Sequence, residues 1–252
     1  MSYKEKIDAA IQSGKKLTLR SYLLRERGEE ILRYMVTAAM THVGFEDLAG
    51  PIHAAARELV QNASKASLKR ILFRELELDP ANPQDYEKGI QEFRKYLVES
   101  KISHYRERIA GKGLFFTASL EWNEAALLIT VKNFNALLEV EDRRIREKFT
   151  FARTLDNLYD FYIQHGDVTE GAGMGIAMVE ILLEEAGVDR HNFTIYSDIE
   201  EDATIARIIF PLSKSYLSPR ERFERELEKG EYSREELREL VRRGEISLPV
   251  ME

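Results

Sequence analysis

Two short stretches carry residues whose types and spacing could do chemistry. The first is Glu58-Leu59-Val60-Gln61-Asn62-Ala63-Ser64-Lys65-Ala66. At about 100° per residue, offsets of four, seven and eleven return close to the starting angle, so Glu58, Asn62, Lys65 and Lys69 share one stripe of a helix. A carboxylate, a carboxamide and two ammonium groups then face one place. Such a set suits a metal-bound triphosphate. The carboxylate can orient or deprotonate a water, the amide oxygen can ligate a hard cation such as Mg²⁺, and lysine neutralises phosphate. A solvated helix face with ordinary i,i+4 pairs uses the same residue types.

The second stretch is Glu170-Gly171-Ala172-Gly173-Met174-Gly175-Ile176-Ala177-Met178-Val179. Alternating glycines ahead of a helix leave backbone N–H groups free to cradle phosphate, although helix-start geometry alone also accommodates them. The spacing is GxGxG rather than GxGxxG, no strand precedes it and no lysine follows, which excludes both a dinucleotide-binding turn and a P-loop.

The elements that must position these residues follow from periodicity. Apolar residues at helical spacing predict a helix over residues 21–40, and a second, with an alanine-rich start and Pro51 in its first turn, over 51–73. Prolines 80 and 83 mark a loop, and residues 84–109 read as one long charged helix. Residues 114–120 and 126–131 predict a hairpin. Residues 139–165 have a helical pattern with a break near Thr150, and the glycine cluster opens a helix over 176–186. Residues 193–197 and 204–210 predict a second hairpin. Beyond Pro211 the chain becomes densely charged and predicts two short surface helices split at Gly230, packed on the core or on a partner.

With 252 residues, 44% of them hydrophobic, the chain can bury a sizeable core. It has no cysteine, which excludes disulfides, thiolate metal sites and a cysteine nucleophile. A net charge of -7 argues against nonspecific nucleic-acid or anionic-lipid binding. The charged N-terminus does not read as a signal peptide, and no apolar run approaches the roughly 18 residues of a membrane span. The expectation is a cytoplasmic protein with no membrane and no nucleic-acid partner.

Taken together and in this order, the two stretches resemble the N box and G2 box of the histidine kinase-like ATPases, the Bergerat-fold or GHKL superfamily. Ser197, Ala203-Thr204 and Phe210-Pro211-Leu212 are similar to the last box of that family, and the resemblance covers residues 47–212. It implies an α/β (α+β) two-layer sandwich, with a mixed, mostly antiparallel sheet, helices on one face, and ATP between that face and a lid formed by residues 139–171. A helical insertion at 76–112 interrupts the domain, and helical extensions occupy 1–46 and 213–252. By the same resemblance Glu58 would be the catalytic general base, Asn62 the Mg²⁺ ligand, and Lys65, with Lys69 beside it, a phosphate contact. Gly171, Gly173 and Gly175 would cover the phosphates, and Thr204 would lie near adenine. The G1 box departs from the pattern: Asn133 stands where the family has the adenine-binding Asp, and Asn135 and Leu137 replace its two glycines.

Asn133 can still accept a hydrogen bond from adenine, without charge assistance and at a cost of about 1 kcal/mol. It can instead turn its NH₂ toward O6 of guanine. The implied function is ATP binding in signal transduction, with slow hydrolysis or kinase-like phosphoryl transfer to a partner protein. The alternative is a noncatalytic pseudo-ATPase that senses nucleotide and engages a partner. None of the five histidines has the setting of a phosphoacceptor, and His53 is half a turn out of phase with Asn62. The N-terminal helices are expected either to form a homodimer or to bury themselves against the core.

Overall fold

The computed structural model describes residues 1–96, 109–155, 175–242 and 245–246. Its order is α1 (Tyr3–Gln12), β1 (Leu17–Ser21), α2 (Glu26–His42), α3 (Ala49–Glu75), α4 (Pro83–Tyr96), β2 (Phe116–Trp122), β3 (Ala126–Asn133), α5 (Glu139–Ala152), α6 (Gly175–Glu185), β4 (Phe193–Asp198), β5 (Ala203–Pro211), α7 (Pro219–Glu228) and α8 (Arg234–Arg242). The expected two-layer sandwich is present. The strands form one sheet in the order β1-β2-β3-β5-β4, and every described pair is antiparallel, so the sheet lies at the purely antiparallel end of the expectation.

Local chemistry explains the hairpins. Asn123 closes the β2–β3 turn, its side-chain oxygen accepting from the N–H groups of Ala125 at 2.9 Å and Ala126 at 3.0 Å. Asp198 accepts from the Glu201 N–H at 3.2 Å in the β4–β5 turn. Strand alternation then sends Phe116, Ala118 and Leu120, Leu127, Ile129 and Val131, and Ile208 and Phe210 to one face. There they meet Leu32, Met35, Val36 and Met40 of α2 and Ile52, Leu59 and Val60 of α3 in a single core. On the opposite face, Tyr216 of the segment after β5 packs on Ala126, Leu128 and Ile209, and its hydroxyl donates to Asn192.

The N-terminal region differs from the expected helical flank. Residues 17–21 form edge strand β1, paired with β2 as Leu17 with Leu120 and Ser21 with Phe116, and α2 begins only at Glu26. A five-residue strand whose partner lies about a hundred positions along the chain leaves little local signal. Ile7 and Ile11 of α1 also join the main core, so the apolar faces of both N-terminal helices are buried within the chain. The charged helix predicted over 84–109 is described as far as Tyr96, and residues 156–171 of the predicted lid, together with Gly173, lie outside the described residues. No helix among the described residues is long and apolar enough to cross a membrane.

Phe116 anchors the sheet end of this core and is fully buried. Phe116→Ala is expected to cost about 3–5 kcal/mol, read as a lower midpoint in chemical denaturation.

Candidate functional site

Helix α3 runs through the middle of the helical layer. Pro51 is accommodated in its first turn, where an N–H is dispensable, and the chain leaves it through Glu77 in the left-handed region (φ 54°), with the Leu78 N–H returning to the Phe73 carbonyl at 2.9 Å. Its apolar residues face the sheet, and Glu58, Asn62, Lys65 and Lys69 are each half-buried. Their surroundings divide them. Among the described residues, the side chains of Glu58, Asn62 and Lys65 have no hydrogen bond or ion pair. Lys69 instead pairs with the buried Glu141 of α5.

Helix α6 starts beside Glu58. A Cβ built on Gly175 would fall 2.8 Å from Cγ of Glu58 and closer still to its carboxyl group. Only glycine lets the α6 backbone approach this carboxylate so closely, and the last glycine of the GxGxG stretch is thereby brought to the Glu58–Asn62–Lys65 stripe.

The second group of predicted residues gathers at one end of the sheet. Asn133 is registered with Thr204, and Thr204 with Ser197, so these three form a polar row across β3, β5 and β4. Alternation from Val131 turns Asn133 to the helical side, where it is 6% exposed. The chain after Asn133 is tied over this row. The Thr204 hydroxyl donates to the Asn135 carbonyl at 2.6 Å, Ser197 Oγ accepts from Leu137 N–H at 3.0 Å, and Asp202 accepts from Ala136 N–H at 3.1 Å. Side chains of the β4–β5 hairpin thus hold a turn that lacks the glycines of the G1 box. Among the described residues the Asn135 side-chain nitrogen is buried without an acceptor, leaving its amide donors unsatisfied at this place.

Glu141 connects the two groups. It receives Lys69, Arg70 at 2.7 Å and the Leu138 N–H at 3.0 Å, and Arg70 also donates to the Ala136 carbonyl at 2.9 Å. Burial by itself would raise the Glu141 pKa, but the two cations and the hydrogen bonds hold it below the usual carboxylate range. Further cations surround this point. The Arg144 guanidinium lies 4.6 Å and the Lys69 ammonium 5.7 Å from the centre of the Tyr86 ring, and Lys148 has its pKa lowered by burial and then by Arg144 and Lys69. Sequence spacing pointed to Lys69 but not to Arg70, Tyr86, Glu141, Arg144 or Lys148. The one local signal was a Glu in the first turn of α5, three positions after its N-cap.

Lys69, expected beside Lys65 as a phosphate contact, shares the Glu141 carboxylate with Arg70, whereas Lys65 has no ion pair among the described residues. His53 lies among Glu29, Arg33 and Arg57. Burial first, and Arg33 next, lower its pKa. Among the described residues no three His, Asp or Glu side chains are gathered to hold a metal ion.

No protein-family model matches the chain, and no solved structure matches it. An uncharacterized protein of Treponema pallidum (strain Nichols) is 29% identical over 207 residues, covering 82% of this chain. The chain spans 40% of that protein's length.

Two outcomes are expected from this geometry. Glu141→Gln should cost about 3 kcal/mol at neutral pH, because Lys69 and Arg70 lose a buried partner. Since the folded-state pKa of Glu141 is depressed, its contribution is complete above the ordinary carboxylate pKa and disappears as pH falls through the folded value. Melting curves of wild type and variant should accordingly converge in acid. Gly175→Ala should be destabilising alone and less so in a Glu58→Ala background, where the side chain that the added methyl meets is gone and alanine favours the helix. A thermal double-mutant cycle should return a coupling of about 1 kcal/mol.

Proposed function

We propose that the chain binds a nucleoside triphosphate, ATP in the first instance, as a histidine kinase-like ATPase, and either hydrolyses it slowly or passes its γ-phosphoryl group to a partner protein. The observation that carries this reading is the stripe of Glu58, Asn62 and Lys65, three polar side chains on one helix without a partner among the described residues, with the Gly175 backbone against the first of them. A carboxylate, an amide and an ammonium without protein partners are what a polyphosphate site requires before its ligand arrives.

Mg²⁺ fits this donor set in part. The Asn62 carboxamide oxygen offers one hard ligand, and since no cluster of three acidic or His side chains lies among the described residues, phosphate oxygens and water would complete the shell. Bound there, Mg²⁺ would supply charge neutralisation between phosphates. In hydrolysis Glu58 accepts the proton of the attacking water as its oxygen bonds to the γ-phosphorus and the bond to the β-phosphate oxygen breaks. Lys65 neutralises charge on the phosphoryl oxygens. At the base end, Asn133 accepts from the adenine amine, while the unsatisfied Asn135 amide is a donor suited to a ring nitrogen or a keto oxygen.

A noncatalytic nucleotide-sensing module is the second reading. Lys69 engaged by Glu141 and Asn133 in place of an aspartate both favour it, because the first ties a cation of the stripe to the protein and the second removes a charge from the site.

Calorimetric titration with ATP, ADP and GTP, with and without Mg²⁺, tests binding, and γ-labelled ATP tests turnover. Binding that Mg²⁺ strengthens and Asn62→Ala weakens is expected, with Glu58→Ala abolishing phosphate release while sparing binding. Binding without released phosphate or labelled protein selects the second reading, and no binding at millimolar nucleotide overturns both.

A further inference from the structure

The two C-terminal helices border an open cavity of about 430 Å³ that shares no residue with the site above. Arg220, Phe223, Glu224, Arg234, Arg238 and Val241 line it. Three guanidinium groups therefore face one carboxylate, and that carboxylate is already engaged: Arg234 grips Glu224 through both oxygens, at 2.8 and 2.7 Å. Of the remaining two, Arg220 lies 3.3 Å from Nε2 of His191, which is itself paired with Asp189, and both Arg220 and Arg238 lie near enough to Glu224 to help Arg234 hold its carboxyl below the usual range. Three guanidiniums against one carboxylate leave the lining with an excess of positive charge on a chain whose net charge is -7.

Its frame is fixed before any ligand arrives. The Arg234–Glu224 fork joins α8 to α7, Leu237 roots α8 by complete burial, and Ser218 caps α7 through a reciprocal exchange with Glu221. Phe223 forms an aromatic wall, its ring centre 5.9 Å from the Arg234 guanidinium, and Val241 adds an aliphatic one. The lining's excess of two positive charges matches the charge of a phosphate monoester dianion, whereas a carboxylate would offset only one of them. The apolar walls have a use only if the phosphate carries an organic body.

We propose that this cavity is a receptor for a phosphorylated side chain of a partner protein, with Arg220 and Arg238 on the phosphoryl oxygens and Phe223 and Val241 against the carbon atoms that bear the phosphate. The inference is independent of the nucleotide site, which lies on other elements.

Isothermal titration of the full chain with the peptide Ala-Ala-phosphotyrosine-Ala-Ala, its unphosphorylated form, phenyl phosphate, inorganic phosphate and AMP tests it. The phosphopeptide and phenyl phosphate should bind at one site, inorganic phosphate about tenfold more weakly, and the unphosphorylated peptide not at all. Arg220→Gln and Arg238→Gln should each weaken phosphopeptide binding about tenfold. Both residues are exposed, so unchanged circular dichroism and melting are expected in these variants. Asn62→Ala should leave phosphopeptide binding intact, which separates this site from the nucleotide site. Inorganic phosphate binding as tightly as the phosphopeptide would reduce the cavity to an unspecific anion site. AMP competing as well as the phosphopeptide would make it a nucleotide site. Affinity unchanged in both arginine variants, or no binding by the wild type, would also overturn the proposal.

Discussion

The carboxylate of Glu141 joins parts of the molecule that are far apart in the chain. It sits at the start of α5, is almost wholly buried, and is met by Lys69 and Arg70 from the C-terminal half of α3 and by the N–H of Leu138 behind it. Arg70 extends the connection to the turn after β3 through the Ala136 carbonyl. An isolated buried carboxylate would be protonated or expelled, so its ionised state depends on both cations being in place. The position of α5, the path of residues 133–138 and the direction of α3 therefore depend on one another. The polar row of Asn133, Thr204 and Ser197 has its fixed geometry beneath that turn because the turn is held from both sides, by Arg70 above and by the β4–β5 hairpin below.

The same arrangement separates structural charge from available charge on α3. Four polar residues share a stripe, but only one of its two lysines remains unpaired among the described residues. Helical spacing cannot make this distinction, since Lys65 and Lys69 are equivalent in phase. What distinguishes them is a carboxylate seventy-two positions away from Lys69. Glycine acts in a similar way at the other end of the stripe. Gly175 is not in a left-handed conformation, so backbone freedom does not account for it, and the nearness of Glu58 does. The residue type follows from a contact between two helices rather than from the turn in which it stands.

Much of the secondary structure was legible from period and punctuation. The β2–β3 hairpin is announced by two apolar runs around Asn123, and the β4–β5 hairpin by a polar turn that ends in Asp202, held at positive φ. Helices α3, α6, α7 and α8 begin and end within a few residues of where alanine content, glycines and charge density put them. Strand β1 was not legible, because its five residues become a strand through pairing with β2, and neither Thr18 nor Arg20 advertises that edge. The buried role of α1 and α2 was open for the same reason: an amphipathic face records that something covers it, not what.

The sequence by itself determined the helix–hairpin–helix–hairpin order, the common face of Glu58, Asn62 and Lys65, and the presence of a GxGxG stretch ahead of α6, since all of these are properties of local spacing. Only the tertiary structure decided that Gly175 meets Glu58, that Asn133, Thr204 and Ser197 form one row, that Lys69 pairs with Glu141, and that three C-terminal arginines gather around Glu224. These depend on which distant groups share a low-dielectric or confined space, and the energy of a charge is set by its neighbours in space rather than by its neighbours in the chain.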